Sequence, residues 1–223
     1  MRLTRGVQFT SAYTWSHAID ETSDLFELAG ARGLPQDSFN RSAERGDANF
    51  DVRHRFVQSF TWDLPVFTQS NVLGGWQFAG IVTLQTGQPF TVISSVDANL
   101  DGNLTDRLHS LSGVGEVGEG SLRYRFPNTP VEQFRLLAGA GVNGAVGRNT
   151  FRASGIVSTN LAVNKFFRFT ERHQMELRTE IFNLFNRTHF GIPVHVLFTP
   201  GLGRAVNTTA PARTVQFALR YKF

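Results

Sequence analysis

An all-β protein, built as part of an antiparallel transmembrane β-barrel, is the fold class this sequence predicts. Three observations predict it. Apolar and polar residues alternate with period two in six separate segments, the signature of strands with two unlike faces. The connections between those segments run long, short, long, short, long. The composition favours strands and turns over helices: among 223 residues there are 21 Phe, 21 Gly and 8 Pro but only 2 Met, and aromatics suit pleated surfaces while Gly and Pro suit turns.

The strands follow in order. Segment 5–18 sets Val7, Phe9, Tyr13 and Trp15 against Gln8, Thr10, Thr14 and Ser16. Segment 50–64 sets Phe56, Phe60, Trp62 and Leu64 against Arg55, Ser59, Thr61 and Asp63. Segment 74–94 carries Trp76, Phe78, Val82 and Leu84 against Gln77, Thr83 and Gln85. In 155–169, Leu161, Val163, Phe167 and Phe169 oppose Asn160, Asn164 and Arg168, with Lys165 interrupting the apolar row. Segment 173–185 alternates Met175, Leu177 and Ile181 with Glu176, Arg178 and Glu180. The clearest alternation is in 212–223, where Val215, Phe217, Leu219, Tyr221 and Phe223 oppose Thr214, Gln216, Ala218, Arg220 and Lys222. Each segment meets the roughly 9–11 residues a tilted strand needs to cross a bilayer.

Long loops are expected over 19–49, 95–150 and 188–211, and short turns between the second and third and the fourth and fifth strands. Outer-membrane barrels have this asymmetry, with long extracellular loops and short periplasmic turns. In hydrocarbon every backbone N–H and C=O must pair internally, so a β-structure spans only when closed. Six strands are fewer than the roughly eight of the smallest barrels, so the expectation is an incomplete barrel whose remaining strands lie elsewhere. Trp15, Trp62, Trp76, Phe167, Phe169, Tyr221 and Phe223 fall near strand ends, where interfacial aromatic girdles sit.

Other classes are excluded or disfavoured. Without Cys there are no disulfides, no Cys-bound zinc and no thiol nucleophile. No stretch of eighteen apolar residues offers a membrane helix, and MRLTRGVQFT has no apolar core of a signal peptide. The net charge of +4 is modest and scattered, so no nucleic-acid partner is expected. Neither G-x-S-x-G nor H-E-x-x-H occurs, and the 6 His have no metal-ligand spacing. No enzymatic activity is expected.

Three groups of residues invite a functional reading. Asp97, Asn99, Asp101, Gly102 and Asn103 open like an EF-hand loop, with oxygen ligands at alternate positions and Gly at the sixth. Leu108 stands at the twelfth position where such a loop has Glu, so Asp106 would have to substitute. Calcium is the one cofactor considered, against the plainer reading of a solvated Asp/Asn/Gly turn. Asp47, Asn49 and Asp51 begin similarly, but Val52 replaces the Gly. Second, Asp51, Arg53 and Arg55 form a charge cluster at a strand start. It reads either as a lumen-facing ladder that steers anions or as cross-strand pairing with Glu176 or Glu180. Third, Gly113–Gly118 and Gly139–Gly144 both fit G-x-G-x-x-G, yet neither opens a periodic helix, and loop glycine is the better account.

RNTFRASGIVSTNLAVNKFFRFTERHQMELRTEIFNLFNRTHFGIP, from Arg148 to Pro193, resembles the C-terminal barrel strands of TonB-dependent outer-membrane transporters of the Oar-like group. There a strand ending in KxFRxTER turns into one carrying RxExFNLFN, followed by an xxFGxP loop. Ala43–Pro65 and Gly74–Val92 resemble two earlier strands of that barrel, and Thr214–Phe223 its closing strand. The resemblance implies an outer-membrane location in a Gram-negative bacterium, with membrane lipid and the barrel-assembly machinery as partners. Phe217, Leu219, Tyr221 and Phe223 would form the assembly signal, read by strand addition. It also implies import of an unidentified small-molecule, peptide or saccharide cargo, with TonB engaged only through parts not found here. Such transporters carry a signal peptide, a TonB-docking segment, a plug and many more strands. The chain is therefore expected to be the C-terminal portion of one. The alternatives are a structural or adhesin barrel that transports nothing, and a soluble β-sandwich binding module.

Overall fold

The computed structural model describes residues 6–23, 35–67, 70, 72–118, 120–170 and 172–223. Six strands form one antiparallel sheet: β1 (Val7–Trp15), β2 (His54–Asp63), β3 (Trp76–Gln85), β4 (Ile156–Arg168), β5 (Gln174–Phe182) and β6 (Thr214–Lys222). Each pairs with the strands before and after it in sequence, giving an up-and-down meander. The sheet does not close on itself, and among the described residues β1 and β6 each keep one unpaired edge.

Register turns the six alternating segments into two coherent surfaces. Phe9 lies opposite Phe60, Phe60 opposite Gly80, Gly80 opposite Leu161, Leu161 opposite Ile181, and Ile181 opposite Val215. Since residues directly opposite share a face, this rung is apolar across the whole sheet. One residue along, Thr61, Ala79, Ala162, Glu180 and Gln216 make a small and polar rung. Gly80 in the apolar rung has a specific cause: a Cβ there would sit 2.5 Å from the Phe60 ring, which lies over it.

The apolar row stays largely uncovered by protein: Phe217 is 73% exposed, and Tyr13, Trp15, Leu219 and Tyr221 are also exposed. A sheet with its greasy face unburied is stable only against hydrocarbon. The ends of the face carry amphipathic pairs. Tyr13 Oη and His54 Nδ1 meet at 2.8 Å at the long-loop end, and Tyr221 Oη and His173 Nδ1 at 2.7 Å at the short-turn end. Lys165, which interrupts the row, is buried. Its ammonium donates to the Gly74 carbonyl and lies 5.2 Å and 4.9 Å from the Trp76 and Phe167 ring centres. A charge at the rim, satisfied by a turn carbonyl and aromatic faces, is tolerable where one at mid-bilayer is not.

The strand expected over 74–94 stops at Gln85. Beyond it Pro89–Phe90 pairs with Phe151–Arg152 in a separate two-residue ladder, so the chain leaves the wall and enters a packed cap. At the other long-loop end, the FNLFN motif has a mechanical role. Asn183 and Asn186 take positive φ of 53° and 50°, a region Asn tolerates better than most side chains. The Asn183 side chain accepts from Arg187 N at 2.9 Å and donates to the Arg187 and Pro211 carbonyls, ending β5 and holding the start of the next loop.

The molecule's buried apolar core lies in the long loops, away from the strands. Phe90, Val92, Leu108, Tyr124, Phe126, Leu136, Leu137, Phe151, Ala153 and Leu197 pack together. A one-turn helix, α1 (Pro130–Phe134), enters this core; Thr129 caps it reciprocally with Glu132, and Pro130 occupies its first turn. The stretches expected to be open loops therefore form a cap with an interior of its own.

Candidate functional site

The first two long loops meet in the cap through buried charge. Asp51 is 1% exposed; it accepts from Arg152 Nη2 at 2.7 Å and from Ala18 N at 2.8 Å, with Arg53 Nε at 3.5 Å. Asp47 accepts from Arg53 at 3.0 Å, from His17 Nε2 at 2.8 Å and from Arg152. Burial alone would push both carboxyls up. The hydrogen bonds from Arg152, with His17 at Asp47 and the Ala18 amide at Asp51, and the charges of Arg152 and Arg53 outweigh it. Both are held below the ordinary value of 3.8.

A second network joins the same loops. Arg107 pairs with Glu44 at 2.9 Å, both almost fully buried. Gln36 accepts from Arg107 N at 2.8 Å and Gly144 N at 3.0 Å. Gly144 sits so close beneath this segment that a Cβ would lie 2.1 Å from the Arg107 carbonyl. Arg148 donates to the Glu44 and Asp20 carbonyls, to Ser23 and to the Asp20 carboxylate. A buried ion pair fixes geometry more than it adds stability, and losing one partner is costly.

The charge group read from the sequence is thus rearranged. Asp51 and Arg53 meet, but in the cap above the wall, and their further partners are Asp47 and Arg152. Arg55 stays apart, exposed on the polar face of β2 opposite Thr14 and Gln85. Glu180 pairs with Arg178. In the Asp47–Asn49–Asp51 stretch, both carboxylates are engaged by the guanidinium groups of Arg53 and Arg152.

The Asp/Asn/Gly loop does converge. Asp97, Asp101 and Asp106 each bring a carboxylate oxygen within 4.8 Å of the others, a spacing that fits one hard cation. Asn99 and Asp106 are buried, while Asp101 and Asn103 are exposed. Asp97 accepts from Asp101 N and Gly102 N, Asp101 from Asn103 N, and Asp106 from Ala98 N at 2.6 Å. Burial, with the neighbouring charges of Asp101 and Asp97, raises the Asp106 carboxyl above 3.8; the Asn103 amide holds Asp101 below it. These backbone donors already serve the turn, so the loop keeps its shape through its own hydrogen bonds. On β6, Phe217, Leu219 and Tyr221 share the apolar row, and Phe223 follows, 92% exposed.

Sequence reasoning missed Arg107, Arg148 and Arg152, whose partners lie far along the chain, and noticed Asp47 only as the start of a metal-type loop. The Thr129-Pro130-Val131-Glu132 run was a local signal for the cap helix.

An open sheet with one apolar face, aromatic ends and a packed cap at its long-loop end defines the class: the wall of a transmembrane β-barrel. The family model for "Outer membrane beta barrel domain" matches residues 1–216, and the chain belongs to that family. Its place is the outer membrane of Gram-negative bacteria, which sets aside the soluble sandwich. No curated protein and no solved structure matches the chain.

Proposed function

We propose that this chain supplies barrel wall and external loops to a TonB-dependent importer of the Oar-like kind. The carrying observation is the cap. The second and third long loops share one apolar core, and two buried charge networks join the first loop to the second, a degree of order that suits a receptor surface holding a ligand before passage. The motifs behind the resemblance also have physical work at strand ends. FNLFN stops β5, and in KFFRFTER the Phe169 and Thr170 amides both donate to the His173 carbonyl, closing a tight turn. In such importers TonB acts on a plug inside the barrel, so energy coupling would not involve the residues described above.

Photo-crosslinking in living cells tests this. The intact outer-membrane protein should crosslink to TonB in a manner that depends on the proton gradient. A folded barrel that never contacts TonB would overturn the reading. It would favour instead an adhesin or structural barrel, a reading supported by Phe39, Phe50 and Leu100, apolar side chains exposed on the loops. As an assembly signal, the β6 row requires that removing Phe223 lower the yield of heat-modifiable barrel in the outer membrane.

A further inference from the structure

We propose that Arg187 and Arg213, at the outer rim of the apolar face, form a site for a phosphate group of the outer-leaflet glycolipid. The site is independent of whether the barrel imports anything.

The long-loop end of the sheet faces outward, and the leaflet there is built of glycolipid whose headgroup carries phosphate monoesters. At that end the FNLFN turn ties two segments together. Asn183 donates to the Arg187 and Pro211 carbonyls at 2.9 Å and 3.2 Å, and Arg213 N donates to Asn186 Oδ1 at 3.0 Å. Both arginines therefore leave the backbone from one clamp. Arg213 immediately precedes β6, two residues before Val215, so strand alternation extends the lipid-facing row of Val215, Phe217 and Leu219 up to it. Phe185 is exposed on the same turn, an aromatic ring at the level where tails meet headgroups.

Charge names the ligand. Beyond Glu180 the sequence has no Asp or Glu, yet it has Arg187, Arg204, Arg213, Arg220 and Lys222. In the cap, Arg107, Arg148 and Arg152 each meet a carboxylate. Arg187 and Arg213 are exposed, and neither meets a carboxylate among the described residues. The Arg213 guanidinium has only the Leu184 carbonyl, 3.4 Å from Nη1. Two guanidinium forks with free donors suit the oxygens of a phosphate monoester, which accept paired bonds from such a fork. Acyl chains of the same lipid can lie along Val215 and Phe217, both exposed. One glycolipid thus meets the charge and the apolar row together, whereas a free anion meets the charge alone.

The intact protein, purified from outer membranes and washed free of glycolipid in nonionic detergent, tests this by titration with fluorescent diphosphoryl lipid A. Arg187→Gln combined with Arg213→Gln should weaken binding about tenfold or more. Arg125→Gln combined with Arg204→Gln takes the same charge from exposed cap positions and should leave binding unchanged. Removing both phosphates from the lipid should weaken its binding to the unaltered protein to a similar degree, a comparison that needs no variant to fold. Millimolar inorganic phosphate should displace little of the bound lipid. Equal binding of phosphorylated and dephosphorylated lipid, or equal loss in the two double variants, would overturn the proposal. So would displacement by inorganic phosphate as complete as by unlabelled lipid A, which would make the site one for a free anion.

Discussion

Phe217 in the wall and Leu108 in the cap are both apolar, yet the protein treats them oppositely. Leu108 is 0% exposed and packed among other side chains; Phe217 is 73% exposed and has only its own strand neighbours. The wall leaves its apolar row for lipid and keeps its polar groups on the other face. The cap buries its apolar residues among themselves and ties its charged residues in pairs. One chain thus holds two solvents' worth of design, and the same substitution should cost differently in each region.

The largest separation is expected at Arg152. Replacing it with Met leaves Asp51 buried without its closest cation and strips Asp47 of one of two arginines. Breaking a buried pair in this way costs about 3–5 kcal/mol. Limited proteolysis should then cut the long loops of Arg152→Met while the strands keep their heat-modifiable migration on gels. Loss of the barrel itself would show that wall and cap are one cooperative unit.

Leu108→Ala should follow at about 2–5 kcal/mol, because the cavity left in a packed interior cannot fill. Phe217→Ala should cost far less, because lipid fills the space. The sharper wall test is charge. Phe217→Arg should destabilise by about 2–4 kcal/mol near the bilayer middle, and Gln216→Arg, one residue away on the polar face beside Glu180, should cost far less. Unfolding in lipid vesicles measures both, and a larger cost at Gln216 than at Phe217 would mean that the other face of the sheet meets lipid.

How much of this was legible follows the same division. The wall was readable because every rung repeats one instruction: Phe9, Phe60, Leu161, Ile181 and Val215 each sit at alternate positions of their own segments, and pairing only brings them into line. The cap was not. Its determinants are pairs such as Arg148 with Asp20 and Arg152 with Asp51, distant in sequence and without periodicity. Arg55 misled because the strand begins between it and its neighbours: β2 starts at His54, so Asp51 and Arg53 turn into the cap while Arg55 belongs to the wall. The local signals that did exist were short, the Thr129 capping box and the paired Asn of FNLFN.

The smallest expected effect is pH dependence, and it should belong to the cap alone. Asp47 and Asp51 have folded pKa values below 3.8. Their contribution is therefore fully present above pH 3.8 and lost as pH falls through the lower folded values. Asp106 has the opposite sign. Its folded pKa lies above 3.8, so its effect on stability is most favourable below 3.8 and is lost as pH rises through the folded value. Resistance of the cap to proteolysis should thus rise modestly on mild acidification, then fall below pH 3.8 as the two paired carboxylates take up protons. Asp106→Asn should flatten the rise and leave the fall in place. A rise that persists in that variant would assign it to some group other than Asp106.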